Sequence, residues 1–339
     1  MAEPTQKIVR LATRGSQLAL WQAEMVANRL REYQPEITVE LVIVKTMGDI
    51  RQDVPLSAVA GKGIFIREIE NALLRGEADI AVHSCKDLPS TETPHTTLAA
   101  FCERHDPRDA LITRFSGWDS LPQGATVATS APRRIAQLKH VRPDINCIPI
   151  RGNVDTRLAK LDAGIADALV LAVAGVERLG FADRITEHLP ISLSLPQVGQ
   201  GCVAVQCRHE DIPTISLVKH ACDHPMTHGA VQTEREFLSL LGGGCTVPVA
   251  AHAWFSGHFL FLKARVATED GSQLLEVQEA IQVGGMAWHY LLLETENDFT
   301  RSQRSRLLEE MSKLAQSVYN QLLEKGAMPL LERGNDTVL

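Results

Sequence analysis

The sequence predicts two α/β domains built on largely parallel sheets, followed by a small α+β domain. Three observations carry that prediction. Apolar, strand-like runs alternate with helix-like runs from residue 8 to about residue 207, the order that gives parallel strands covered by helices. Beyond about residue 220 the texture changes to a helix, a glycine-rich loop, alternating strands and a closing helix. Finally, 339 residues are too many for one ordinary core.

The elements follow in order. Ile8–Ala12 reads as a strand, and Leu18, Trp21, Met25 and Leu30 recur near helical spacing, so Gln17–Arg31 reads as an amphipathic helix. Ile37–Lys45 is rich in β-branched residues and reads as a buried strand. Phe65, Ile69 and Leu73 mark a helix that stops at Gly76, and Ala78–His83 returns as a strand. After Pro107 a second unit has strands near Ala110–Thr113, Ala125–Thr129, Asn146–Ile150 and Ala168–Ala172, with helices starting near Pro132, Asn153 and Ala174. The run Cys202–Cys207 reads as a further strand, placed to return to the first domain. A helix over Val231–Leu241, strands through Val283 and a long amphipathic helix over Arg301–Lys325 complete the chain.

Composition narrows the class. Hydrophobic residues at 45% and charged residues at 22% describe a globular protein. The net charge of −7 argues against a general nucleic-acid binder. Residues 1–198 carry 23 basic and 24 acidic side chains, and the remainder carries 11 and 17, so the acidic excess lies away from the arginines discussed below. The first residues show no apolar leader, and the longest apolar stretch, Leu169–Val176, is too short to span a bilayer. Seven cysteines without a Cys-x-x-Cys spacing read as reduced thiols, so a cytoplasmic protein is expected.

Three strand-to-helix junctions carry arginine. They are Arg14-Gly-Ser16 after the first strand, Ser130-Ala-Pro-Arg133-Arg134, and Arg151-Gly-Asn153-Val-Asp-Thr-Arg157. Each offers an N-cap candidate in Ser16, Ser130 or Asn153. Free N–H groups at a helix start favour an anion, and a guanidinium adds a forked, permanent charge. Cations there oppose the helix dipole by about 0.3–1 kcal/mol, a conflict that a bound anion removes. Three such junctions predict a ligand with several carboxylates or phosphates. His83-Ser-Cys-Lys86-Asp87-Leu-Pro89 follows a strand and reads either as an ordinary turn or as a charged pair facing a cleft. Gly242-Gly-Gly-Cys245 is not a Walker loop, and Gly61-Lys-Gly63 lacks the full phosphate-loop spacing. His220, His224 and His228 surround Cys222, but Pro225 interrupts them and no first shell is complete, so no metal is expected.

Taken together, the motifs resemble the porphobilinogen deaminase (hydroxymethylbilane synthase) family. They are Arg10-Leu-Ala-Thr-Arg14-Gly-Ser16-Gln-Leu-Ala-Leu-Trp-Gln22, Lys45-Thr-Met-Gly-Asp49, Gly61-Lys-Gly-Ile-Phe65, Ala78–Pro89, Arg151–Leu158, Leu195-Pro-Gln-Val-Gly-Gln-Gly201 and Gly243-Gly-Cys-Thr-Val-Pro248. The match covers roughly residues 7–250, and the C-terminal stretch matches more loosely. The resemblance implies two domains like type II periplasmic binding proteins, hinged over a cleft, and a third domain. The division is 6–102 with 203–220, 106–198, and 222–326, with a tail over 327–339. It also implies a monomeric enzyme of heme and tetrapyrrole biosynthesis that needs neither nucleic acid nor membrane.

In that family four porphobilinogen units join head to tail, each losing ammonia, on a dipyrromethane cofactor held by a thioether. The attachment position falls on Cys245. The family's catalytic carboxylate falls on Asp87, opposite the cationic pyrrole that forms when ammonia leaves. Lys86, Arg133, Arg134, Ser130, Thr129 and Phe65 match residues around the cofactor. Arg14, Ser16, Gln22, Arg151, Arg157 and Arg178 match residues around substrate and growing chain. Acetate and propionate groups on every ring explain a cleft lined by arginine. Two departures stand out: Ala131-Pro132 replaces the usual Ser-Leu before the arginine pair, and Asp155 stands where glycine is common. The main rival reading is a non-catalytic anion-binding protein of the periplasmic type, which needs no Cys245 and normally carries an export signal. A phosphate-handling transferase, weakened by the missing Walker loop, is the third.

Overall fold

The computed structural model describes residues 7–46, 66–242, 248–283 and 298–333. The chain divides into two compact units, residues 1–105 with 202–224, and residues 106–201 with 225–339.

The first unit holds a five-stranded sheet. Strands β1 (Ile8–Arg14), β2 (Thr38–Val44) and β3 (Ile80–Ser84) run parallel, while β10 (Val203–Arg208) lies antiparallel between β3 and the edge strand β4 (Thr96–Phe101). The sheet order is β2-β1-β3-β10-β4. Side chains alternate across β1, so Val9 and Leu11 meet one helical layer and Ala12 the other. On the first face lie α1 (Gln17–Tyr33) and α6 (Ile212–Cys222), with Ala23, Val26, Ala27 and Leu30 fully buried on α1. On the second face α2 (Arg67–Leu74) buries Ile69 and Leu73. Burying one such leucine stabilises the fold by roughly 1.5–3 kcal/mol.

In the second unit a sheet of the same plan appears, ordered β7-β6-β8-β5-β9. Strands β6 (Thr126–Ala128), β7 (Asn146–Ile148) and β8 (Ala168–Ala172) are parallel; β5 (Asp109–Thr113) is antiparallel to β8 and to the edge strand β9 (Glu187–Leu189). Helix α3 (Pro132–Val141) covers one face through Leu138, and α4 (Val154–Asp162) and α5 (Val173–Arg178) cover the other through Leu158 and Val176. Each sheet therefore has three parallel strands, then one antiparallel strand, then an edge strand. These are the two α/β sheets, largely parallel and covered by helices, that the sequence predicts.

The same unit ends in a three-stranded antiparallel meander, β11 (Val249–Ser256), β12 (Phe259–Ala267) and β13 (Leu274–Gln282). Its apolar face packs on α7 (Pro225–Leu240) and α8 (Asp298–Glu324), with Phe237, Leu260, Leu262, Met311, Leu314 and Val318 at the centre. A short α9 (Met328–Arg333) follows. The β12–β13 turn is seated on α3. Gly271 there has φ +75°, and a Cβ on it would lie 2.5 Å from the Ala136 carbonyl oxygen and 2.7 Å from the His140 nitrogen. Only glycine fits.

Candidate functional site

Two groups of the predicted site residues come together, one in each unit. In the first unit β1 and β3 are parallel neighbours, so their carboxyl ends open side by side. Arg14 ends β1, and Ser16 caps α1 by accepting a hydrogen bond from the Ala19 backbone N–H at 3.4 Å. Past β3 the chain makes one 3₁₀ turn, Cys85–Asp87, closed by the Leu88 N–H donating to the Cys85 carbonyl at 3.1 Å. Pro89 then keeps Leu88 extended, so the turn cannot grow into a helix. Arg14, Ser16, Gln22, Lys86 and Asp87 consequently line one cavity of about 100 Å³. Gln22 is buried and its amide donates to the Ser84 hydroxyl at 2.9 Å, which fixes it in the wall. Asp87 is exposed, and its carboxylate has no hydrogen-bond or ion-pair partner among the described residues.

The floor of that cavity contains a residue that sequence reasoning passed over. His83 is buried, and its Nε2 lies 3.1 Å from Gln206 Oε1. Gln206 Nε2 donates in turn to Glu70 Oε1 at 2.9 Å and to Thr96 Oγ1 at 2.7 Å. Burial pushes the His83 imidazole down to about 4, against the opposing hydrogen bond from Gln206. No periodicity marks these four residues, because they come from β3, β10, α2 and β4 and meet only in the folded sheet.

In the second unit the junctions after β6 and β7 are tied together. Ser130 Oγ donates to the Ile150 carbonyl at 2.7 Å and accepts from the Ile150 N–H at 2.9 Å. Ser130 is thus not the N-cap of α3. Ala131 holds that position with no side-chain bond, and Pro132 at the first helical position needs no N–H partner. Asn153 does occupy the cap position of α4, but its side chain makes no capping bond. Thr129 is buried, and its N–H donates to the Ile148 carbonyl at 2.9 Å.

Arg133 and Arg134 are buried, and the anion facing them is supplied by the chain itself. Asp109, fully buried at the start of β5, accepts from Arg133 at 2.8 and 3.0 Å and from Arg134 at 2.7 Å. Burial alone would push the Asp109 carboxyl up, but the two guanidiniums overcome it and hold the group far below the usual carboxylate range. Gln200 Oε1 accepts from Arg133 at 3.0 Å, and Ser194 Oγ donates to Asp109 at 2.7 Å. Two cations share one carboxylate, so the cluster keeps a net positive charge. The Nε–H groups of both arginines are buried with no acceptor among the described residues. The dipole conflict expected of an arginine pair at a helix start is therefore relieved mainly from within.

Around this core the positive field extends. Burial, and then the charges of Arg134 and Arg151, lower the Arg157 guanidinium from its ordinary value. Arg157 Nε donates to the Gly152 carbonyl at 2.8 Å, and Gly152 has φ +113°. Asp155 is exposed to solvent, where its charge is screened. Arg178 Nη2 donates to the Gly201 carbonyl at 2.8 Å.

Helix α3 is also held from behind. Arg265 on β12 donates to Gln137 Oε1 and to the Ser192 carbonyl, both at 2.7 Å, and His140 Nδ1 lies 2.9 Å from the Gly271 carbonyl. Cys245 and Phe65 lie outside the described residues. The elements on either side of residues 243–247 are fixed by Glu234 on α7. It is fully buried and accepts from the Ala253 N–H on β11 and the Gly199 N–H, each at 2.7 Å. Asp109 and Glu234 had no sequence signal of their own, and Gln200 stood in the Leu195–Gly201 motif without a role, since each acts on partners far along the chain.

Comparison with known proteins gives a consistent result. Residues 9–216 match the family model for porphobilinogen deaminase, dipyromethane cofactor binding domain, and residues 229–286 match the model for the porphobilinogen deaminase C-terminal domain. The porphobilinogen deaminase of Geobacter metallireducens is 52% identical over 79% of this chain and 84% of its own. That of Geobacter sulfurreducens is 49% identical over 80% and 85%, and that of Pelobacter propionicus 43% identical over 96% of both chains.

Proposed function

Because the chain belongs to the porphobilinogen deaminase family, we propose that Asp87 is its catalytic carboxylate and that the two residue groups described above serve different ends of one reaction. The activity is that of hydroxymethylbilane synthase, a transferase of tetrapyrrole and heme biosynthesis that condenses porphobilinogen with release of ammonia. The rival reading, a non-catalytic anion binder, is set aside by that membership. The family's dipyrromethane, attached through cysteine, supplies when bound the covalent primer for chain growth.

The residues present fit such a group. A polycarboxylate needs fixed cations and free donors, and the Arg133–Arg134 cluster keeps one net charge and two buried Nε–H groups without acceptors among the described residues. We assign Arg133 and Arg134, with Lys86, Thr129, Ser130 and Phe65, to holding the cofactor, and Cys245 to its thioether. Arg14, Ser16, Gln22, Arg151, Arg157 and Arg178 are assigned to the acid groups of substrate and product. Porphobilinogen is the partner. We read the protein as a cytoplasmic monomer independent of nucleic acid; among the described residues no helix is long and apolar enough to cross a membrane. The functional division follows 6–102 with 203–220, 106–198 and 222–326.

One observation carries the reading of Asp87: an exposed carboxylate without partners among the described residues stands in the same cavity as Arg14, Ser16 and Lys86. Loss of ammonia from the substrate leaves positive charge on its pyrrole, and a carboxylate already in place stabilises that charge with little reorganisation. The same group accepts and returns the proton that the pyrrole exchanges. Asp87→Asn keeps the shape and removes the charge. Turnover is expected to fall by ~10²–10⁴, with the cofactor mass and substrate KM retained. Turnover within a few-fold of the unchanged protein would remove Asp87 from this role.

A further inference from the structure

His83 shares the cavity with Arg14, Lys86 and Asp87, and its protonation pattern is fixed by the network behind it. Thr96 Oγ1 donates to the Thr93 carbonyl at 2.7 Å, so it can only accept from Gln206 Nε2. Glu70 Oε1 takes the other proton of that amide, and Glu70 Oε2 accepts from Thr93 Oγ1 at 2.7 Å. The amide cannot flip without losing both bonds. Its oxygen therefore faces His83, and a hydrogen bond at 3.1 Å requires the proton on His83 Nε2. Nδ1 is then the acceptor of the ring, and it has no partner among the described residues although His83 is only 5% exposed.

We propose that His83 is a neutral hydrogen-bond acceptor for an N–H group of the substrate, locked in its Nε2–H tautomer by the Glu70–Gln206 relay. The proposal rests on the reading of the Asp87 cavity as the substrate site. The chemistry of the relay supports it. A carboxylate placed directly on Nε2 would draw a second proton onto the ring. Interposing an amide fixes the tautomer without bringing that charge into contact. An imidazolium would repel an ammonium or a cationic pyrrole in the cavity, where Arg14 and Lys86 already supply positive charge and Asp87 the negative. A neutral ring orients the N–H donor and leaves the charge of Asp87 undiluted. Porphobilinogen offers two such donors, its pyrrole N–H and its aminomethyl nitrogen.

The test uses the cofactor-loaded protein with histidine labelled in ¹⁵N. The His83 signals, assigned by their loss in variants, are expected to show a protonated Nε2 and an unprotonated Nδ1 from about pH 5.5 to 8. The Nδ1 signal should move on adding porphobilinogen. Asparagine places an amide where Nδ1 sits, and glutamine places one where Nε2 sits. His83→Gln is therefore expected to lower kcat/KM about tenfold, while His83→Asn stays within about threefold, both with unchanged cofactor mass. A proton on Nδ1 in the unchanged protein overturns the proposal, and so does full kcat/KM in His83→Gln. If neither variant folds, the spectra of the unchanged protein decide. Asp87→Asn assayed in parallel separates the two ideas: normal turnover there removes the cavity reading, whereas impaired turnover with a normal His83→Gln removes only this one.

Discussion

The two five-stranded sheets share a strand order and carry arginine where strands turn into helices, yet they use it in opposite ways. In the first, Arg14 and Lys86 stand around an open cavity beside an exposed Asp87. In the second, Arg133 and Arg134 are buried on Asp109, which the antiparallel strand β5 delivers to them. The difference teaches that an arginine at a helix start is not by itself a vacant anion site. What decides is whether the antiparallel strand of the same sheet carries a carboxylate that reaches it. In the second sheet it does; in the first the corresponding strand β10 opens with Val203 opposite Ser84 and carries no carboxylate along its length.

Removing Asp109 should break that contrast most severely. Asp109→Ala leaves two buried guanidiniums facing each other with no counter-charge, and breaking a buried pair costs roughly 3–5 kcal/mol. Thermal unfolding is expected to drop by many degrees, whereas Asp87→Asn, an exposed change, should leave the midpoint nearly unmoved. Similar midpoints for the two variants would show that the arginine cluster is not held by Asp109.

A titration sharpens the comparison next. His83 resists protonation in the folded protein until about pH 4, while the unfolded chain takes up the proton near its ordinary 6.5. Stability is therefore full above pH 6.5 and falls as pH drops toward 4, by up to ~3 kcal/mol. Asp109 is also held below its ordinary value and loses stability in the same direction, but only once pH falls to the ordinary carboxyl value of 3.8, so little is lost from it in this window. Denaturant midpoints measured from pH 7 to 4 should decline, and His83→Gln should flatten the decline. An equal decline in the variant would assign the acid sensitivity elsewhere.

The smallest of the expected effects concerns how the second cluster is supported. Gly271→Ala forces a methyl group against the backbone of α3 and also strains a positive φ. The cost is expected to be about 1–3 kcal/mol, read as a lower unfolding midpoint. Retention of the full midpoint would mean that the hairpin does not brace the arginine helix.

Much of this was legible in the chain. Ala168–Ala172 reads as a strand and is one, because a central parallel strand buried on both faces is an unbroken apolar run. Ser16 reads as a cap and acts as one. Strand β9 escaped notice because three residues are too few to show a pattern, and β4 because it is buried almost throughout and shows no polar–apolar alternation. Ser130 misled because a serine before a helix looks like a cap, whereas its hydroxyl is engaged by Ile150 on the neighbouring junction. Asp109 was hidden for the same reason: a lone aspartate beginning a strand says nothing of arginines 24 and 25 positions later. Pairing across a sheet is set by topology, which the local pattern does not encode.

The two hairpin turns of the meander also differ in what they permit an engineer to attach. Loop tips are the usual places for a tag or an inserted domain. At the β11–β12 turn a side chain on Gly257 would meet nothing within 4 Å, so an insert there has open space around it. The β12–β13 turn is wedged against α3, and an insert at Gly271 would lever the helix that carries Arg133 and Arg134. Fluorophores or affinity handles belong at Gly257.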